Sequence, residues 1–112
     1  MKHYVMTVFS NAVAGQEEEY NRWYNNQHLG DVLKIPGFVA AQRFKLAGTD
    51  ANAPAPYLAI YQVEADDAQQ AMARLNERAG TEQMPMTPAL DLNAVKVFFY
   101  EQITDLKRAN TR

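Results

Sequence analysis

The chain has 112 residues, a formal net charge of −2, no cysteine and an ordinary apolar share of 47%. This length suits one domain of the usual size, and no apolar run approaches the roughly 20 residues that cross a bilayer. The charge balance gives no basic surface for a nucleic acid, and a chain without cysteine has neither disulfides nor thiolate chemistry. We therefore expect a cytoplasmic protein with one domain at residues 1–105 and a polar C-terminal tail at 106–112, without nucleic-acid or membrane partners.

The N-terminal part of the chain predicts a strand followed by a helix. Residues 3–10 are rich in β-branched and aromatic side chains, which favour a strand. A helix is expected to begin at Gly15, as its N-cap, and to run to about Leu29. The three glutamates at 17–19 then lie in the first turn, where the helix dipole favours negative charge.

A helix end and a tight turn are predicted next. Gly30 is typical of the left-handed residue that follows a helix, and Asp31 can cap a further short turn. Residues 35–38, Ile-Pro-Gly-Phe, predict a type II turn with a positive φ at Gly37. A second strand is expected directly afterwards, at 38–46.

The second half of the chain predicts a strand, a helix and a last strand. Residues 47–56 contain glycine, proline and the pair Asp50 and Asn52, which disfavour regular structure, and predict a hairpin loop before a strand at 57–64. Apolar residues at helical spacing predict an amphipathic helix from 66 to about 78. A long connection at 80–93 leads to the last strand, at 94–103, and connections of this length are often functional.

The element order βαββαβ predicts an α+β, ferredoxin-like domain whose two helices cover one face of a four-stranded antiparallel sheet. The last strand carries Val95, Val97 and Phe99 on one side but also Phe98 and Tyr100 on the other. A solvated face would carry mainly polar side chains instead. We therefore expect a homodimer in which the helix-free faces of two sheets cover each other.

The first helix has an unusual face. At 100° per residue, Tyr20, Trp23, Tyr24 and Gln27 share one stripe, and His28 lies at its border. Each of these side chains carries a polar atom that needs a partner when it is buried. Apolar walls with a few convergent polar groups are typical of a ligand pocket, so the sequence predicts a binding site on this face.

Structural interpretations of the same residues stay open. Tyr20 and Trp23 can pack with their polar tips at the surface, and His28 can cap the last carbonyls of the helix. Met84 and Met86, in the long connection, are either adaptable pocket walls or anchors into the core.

No other pattern in the sequence points to chemistry. There is no glycine-rich phosphate loop and no pair of histidines at metal-binding spacing. With two histidines and no cysteine, a metal site would depend on carboxylates, and none are grouped for it. We predict neither a metal nor a cofactor.

The run W-Y-x-x-x-H-L-x-D-V-L-x-I-P-G-F, residues 23–38, resembles the EthD-like group of the dimeric α+β barrel superfamily. The resemblance implies two ferredoxin-like subunits that pack sheet against sheet. It places the histidine of the family's helix at His28 and the preceding aromatic position at Trp23 or Tyr24. Members of the superfamily include lyases, dehydratases, cyclases, isomerases and cofactor-free monooxygenases, as well as an accessory protein of ether degradation.

The first functional hypothesis is a cofactor-free enzyme of lyase, dehydratase, cyclase or isomerase type that acts on an aromatic or polyketide-like compound. His28 would be the general acid or base, with Tyr24 as its catalytic partner. Five further side chains are expected to bind the substrate: Tyr20, Trp23, Gln27, Met84 and Met86. The alternatives are a non-catalytic accessory or carrier protein, and haem binding or cofactor-free monooxygenation.

Overall fold

The computed structural model describes residues 1–110 of the chain. Its elements are strand β1 (Lys2–Ser10), helix α1 (Glu17–Trp23), a π-helical turn (Tyr24–His28), helix α2 (Leu29–Val32), strands β2 (Phe38–Lys45) and β3 (Tyr57–Ala65), helix α3 (Ala68–Arg78), a 3₁₀ turn (Leu92–Ala94) and strand β4 (Lys96–Glu101). The predicted order βαββαβ is confirmed. Residues 106–110 of the predicted tail form neither helix nor strand, and its residues 111 and 112 lie outside the described part. Within residues 1–110, no helix has the length and hydropathy needed to span a bilayer.

The four strands form one antiparallel sheet in the order β2-β3-β1-β4. In this register Met6 of β1 lies opposite Tyr61 of β3 and Phe99 of β4. The core lies between the sheet and the helices, where Met6 and Tyr61 pack with the buried Tyr20 and Ala71. This is the predicted ferredoxin-like α+β architecture.

The face of the sheet turned away from the helices carries exposed apolar side chains. Phe98 and Tyr100 of β4 are 47% and 63% exposed, and Phe44 of β2 is 43% exposed. On the opposite face of β4, Val97 and Phe99 pack against the core. The alternation predicted for the last strand is therefore present, with one apolar side covered and the other open.

Helix α1, the π-helical turn and helix α2 form one continuous first helical segment, residues 17–32. It begins and ends later than the sequence predicts. Its N-cap is Gln16, while Gly15 has a φ of 83° in the preceding turn. The prediction that Gly30 ends the helix is wrong, because the helix continues through Gly30, without a positive φ there, to Val32. The extra turn buries Val32 and directs the chain so that Ile35 is buried as well.

The predicted turn at residues 35–38 is confirmed. The amide of Phe38 donates to the carbonyl of Ile35 at 3.1 Å, and Gly37 has a φ of 93°. The carbonyl of Gly37 accepts a hydrogen bond from the amide of Glu64 at 2.7 Å. A Cβ atom at Gly37 would collide with the carbonyl oxygen of Glu64, so glycine is required for both its φ and its small size.

Candidate binding site

A largely apolar cavity of about 150 Å³ lies between the helices and the sheet. Apolar side chains from both layers form most of its wall: Met6, Val8, Val32, Met72, Leu75 and Val97. Polar atoms enter the wall mainly from the first helical segment and from β3. Apolar walls with few polar groups are typical of small-molecule sites.

The π-helical turn determines which residues face this cavity. Its backbone hydrogen bond runs from the amide of Leu29 to the carbonyl of Tyr24, five residues back instead of four. A π turn contains about one residue more than an α turn, so the side chains after it shift around the helix axis. As a result His28 enters the cavity wall, while Gln27 is exposed and donates to the Asp31 carboxylate at 2.7 Å.

His28 is held among aromatic rings. Its imidazole stacks on Trp23, with centroids 4.4 Å apart and planes 24° from parallel, and meets Tyr24 edge to face at 5.1 Å. Its Nδ1 atom is buried and has no hydrogen-bond partner among residues 1–110. Burial lowers the pKa of His28 to about 4, although the nearby Asp31 carboxylate acts in the opposite direction. The imidazole is therefore neutral near pH 7.

A cap role for His28 does not agree with this geometry. The helical segment continues to Val32, one turn beyond His28, so the last carbonyls of the helix lie elsewhere. The unpartnered Nδ1 atom bonds to none of them.

Tyr61 also lines the cavity and carries a second buried polar atom. It is 1% exposed on β3, and its hydroxyl makes no hydrogen bond of ordinary length in the described part of the chain, although the phenol of Tyr24 lies close enough to interact with it. Burial, followed by the neighbouring phenol of Tyr24, raises the pKa of Tyr61 far above its usual value. Burial also raises the pKa of Tyr24 to about 12. Both phenols stay protonated and can donate a hydrogen bond to a ligand.

Tyr20 and Arg43 support the site from behind. The Tyr20 hydroxyl lies 2.5 Å from Ser10 Oγ, which satisfies this buried pair. The Arg43 guanidinium lies 4.3 Å from the centroid of the Tyr24 ring and donates to Asn25 Oδ1 at 2.6 Å. Arg43 thus fixes the ring that forms one wall of the cavity.

The connection at 80–93 is attached to the first helix beside the cavity. The indole Nε1 of Trp23 donates to the carbonyl of Pro85 at 3.0 Å. Met86, the next residue, lines the cavity and is 38% exposed. Met84 is fully buried in the core and does not line the cavity.

The structure brings together four of the seven residues that the sequence predicts for the site. These four line the cavity: Trp23, Tyr24, His28 and Met86. Three others lie outside its wall. Tyr20 is buried behind Tyr24, Gln27 faces solvent, and Met84 anchors the connection in the core.

Tyr61 and Arg43 were not identified from the sequence. Tyr61 lies on the inner face of β3 with Ala59 and Val63, and every second residue of any half-buried strand is buried in this way. Arg43 could have been identified from its position. It follows the inward-facing Ala41 by two residues, so its charged side chain lies on the same inner face of β2.

Sequence comparisons give no match: no protein-family model fits this chain, and no curated protein is significantly similar to it. Solved structures do match. The haem-degrader MhuD of Mycobacterium tuberculosis, with two haems bound in its active site, has a TM-score of 0.59 at 21% identity over 93% of this chain and 99% of its own. HapK from Hahella chejuensis has a TM-score of 0.61 at 18% identity over 98% and 100%. An ethyl tert-butyl ether degradation (EthD) family protein from Bacillus halodurans C-125 has a TM-score of 0.51 at 11% identity over 92% and 100%.

At these identities the likeness concerns the fold. It extends over almost the whole of each chain, and it includes the EthD family that residues 23–38 resemble. The chain has the ferredoxin-like α+β fold of these structures.

Proposed function

We propose that this protein is a cofactor-free enzyme that acts on a small, largely apolar aromatic or polyketide-like compound, with His28 as the general acid or base. The observation that supports it best is a neutral, largely buried imidazole that lines an apolar cavity and whose Nδ1 atom has no hydrogen-bond partner among the described residues. A neutral imidazole has one unprotonated ring nitrogen, which can accept a proton from a bound compound.

The reaction class follows from what the side chains can do. His28 takes a proton from a carbon or oxygen of the substrate, and a phenol of the site donates a hydrogen bond to the oxygen where negative charge develops. The imidazolium that forms is stabilised by the Asp31 carboxylate, which favours the charged form of His28. Lyase, dehydratase, cyclase and isomerase reactions can all begin with this proton transfer.

Entry to the cavity depends on the connection at 80–93. Met86 belongs to the cavity wall, and the hydrogen bond between Trp23 and Pro85 holds this part of the connection in place. Release of that bond would open a path for the substrate while the sheet stays intact.

The proposal includes a homodimer in the cytoplasm. The open face of the sheet carries apolar side chains of β2 and β4 that a second copy would cover. A two-fold axis would allow the same patch to cover itself.

A non-catalytic carrier is the second candidate. The observation that favours it is the pKa of about 4, because a base this weak is less effective near neutral pH. In that case the cavity would bind the same class of compound and release it unchanged.

The experiment that separates the two candidates follows proton transfer directly. The protein is incubated in D₂O with a panel of phenols, aryl ketones and β-diketones, and deuterium incorporation at carbon is measured by mass spectrometry. We expect His28→Ala to reduce the rate of incorporation about 10²–10⁴-fold, the usual share of general acid–base catalysis. The control is His3→Ala, which changes the other histidine, exposed on β1.

An unchanged rate in His28→Ala would contradict the catalytic role of this residue. Binding of a panel compound without any incorporation would support the carrier instead.

A further inference from the structure

We infer that the group bound inside the cavity is a single aromatic ring with one hydroxyl substituent. The inference rests on the proposed site and specifies its substrate class. Two independent observations carry it: the size of the cavity, and two buried polar atoms on residues of its wall that lack a hydrogen bond of ordinary length among residues 1–110.

The size of the cavity limits the ligand to one ring. Pockets for drug-sized ligands have about 300–1,000 Å³, whereas an apolar cavity engineered into another protein, of about 150 Å³, binds benzene. The cavity here has the same volume of about 150 Å³. A second fused ring would force close-packed core side chains to move, and such overpacking costs energy.

The cavity does not fit haem, although haem-bound structures share this fold. A porphyrin contains four linked pyrrole rings, and the cavity has room for about one ring.

The polar atoms of the wall indicate a hydroxyl group. His28 Nδ1 and the Tyr61 hydroxyl are both buried and unpartnered among the described residues, and both residues line the cavity. A hydroxyl donates and accepts at once, so it can satisfy both atoms in either neutral tautomer of His28. A purely apolar ring would leave both atoms without a partner, which is costly in a buried site.

The test compares three ligands of the wild-type protein by isothermal titration calorimetry: phenol, its isostere toluene, and 1-naphthol. We expect phenol to bind about 5- to 150-fold more tightly than toluene, because toluene leaves the buried polar atoms unpaired. We expect 1-naphthol to bind at least about 10-fold more weakly than phenol, despite its larger apolar surface.

Tyr61→Phe identifies the residue responsible. The variant keeps the ring and removes the hydroxyl, so it should lower the affinity for phenol about fivefold or more without lowering that for toluene. The matched control is Tyr57→Phe, a half-exposed tyrosine of the same strand that does not line the cavity.

Two results would overturn the inference: toluene bound as tightly as phenol, or 1-naphthol bound more tightly than either. Stoichiometric binding of haemin inside the cavity, detected by an absorbance change that His28→Ala abolishes, would also overturn it. Preference for phenol without any His28-dependent deuterium incorporation would confirm the inference and refute only the enzymatic function.

Discussion

His28 has a different pKa in the folded and the unfolded chain. Its pKa is about 4 in the fold, against 6.5 in the unfolded chain. Between these values the unfolded chain binds a proton that the folded chain does not, so acid favours unfolding. The contribution of neutral His28 is fully present above about pH 6.5 and is lost as the pH falls towards 4.

This difference gives a first prediction. Between pH 7 and pH 4.5, titration of His28 should lower the free energy of unfolding of the wild type by about 2–3 kcal/mol. His28→Gln has no titrating group at this position, so its free energy of unfolding should fall by about 2–3 kcal/mol less over the same pH range. Urea unfolding of both proteins at the two pH values measures the difference. The carboxylates titrate in both proteins, so their contribution cancels in the comparison. Equal losses would contradict a buried, neutral His28.

At the residue scale, the sequence predicted part of the site. Trp23, Tyr24 and His28 were identified because polar aromatic side chains on a helix face need partners. Tyr61 was missed because a tyrosine in an alternating strand has the pattern of ordinary core packing. Gln27 was predicted to face the site from the 100° per residue of an α-helix, and the π turn changes that angle.

The first helical segment and the turn after it depend on two glycines with opposite requirements. Gly30 is helical, and no atom outside its own helix lies within 4 Å of the position of an added Cβ. Gly37 has a positive φ and lies against the carbonyl of Glu64. The first position tolerates a side chain, and the second does not.

The second prediction uses this contrast. Gly30→Ala should raise the free energy of unfolding by about 0.5–1 kcal/mol, because alanine loses less backbone entropy in a helix. Gly37→Ala should lower it by at least about 2 kcal/mol, through left-handed strain and the collision with Glu64. Urea unfolding at pH 7 measures both changes. A destabilised Gly30→Ala would indicate that the helix ends at this residue.

The strands were predicted better than the helix end. Each predicted strand boundary lies within two residues of the observed one, because alternating side chains mark both strand and face. Gly30 misled the prediction because its local signal favours a helix end, whereas burial of Val32 and Ile35 favours another turn. Tertiary packing therefore decided the position of the end.

The whole molecule has one face without helices, and its apolar side chains lead to the third prediction. Phe98→Glu places a charge in the middle of the proposed dimer interface and should convert the protein to monomers. Leu33→Glu is the matched control, because Leu33 is similarly exposed, at 39% against 47%, but follows the first helical segment. Light scattering at micromolar concentration should report twice the chain mass for the wild type and the control.

Circular dichroism of Phe98→Glu should show the helices retained, since the substituted side chain lies on the face opposite to them. A dimer that survives Phe98→Glu would show that the copies associate through another surface. A wild-type protein that is monomeric at this concentration would contradict the homodimer itself.

The π turn has a consequence for the descent of related sequences. A π turn is equivalent to one residue inserted into an α-helix whose two ends keep their places. Here the exposed Asn25 and Asn26 lie between Tyr24 and His28, so either could be the inserted residue. Relatives without the insertion would carry the aromatic residue and the histidine three positions apart instead of four. A motif search at fixed spacing would then divide a single lineage into two.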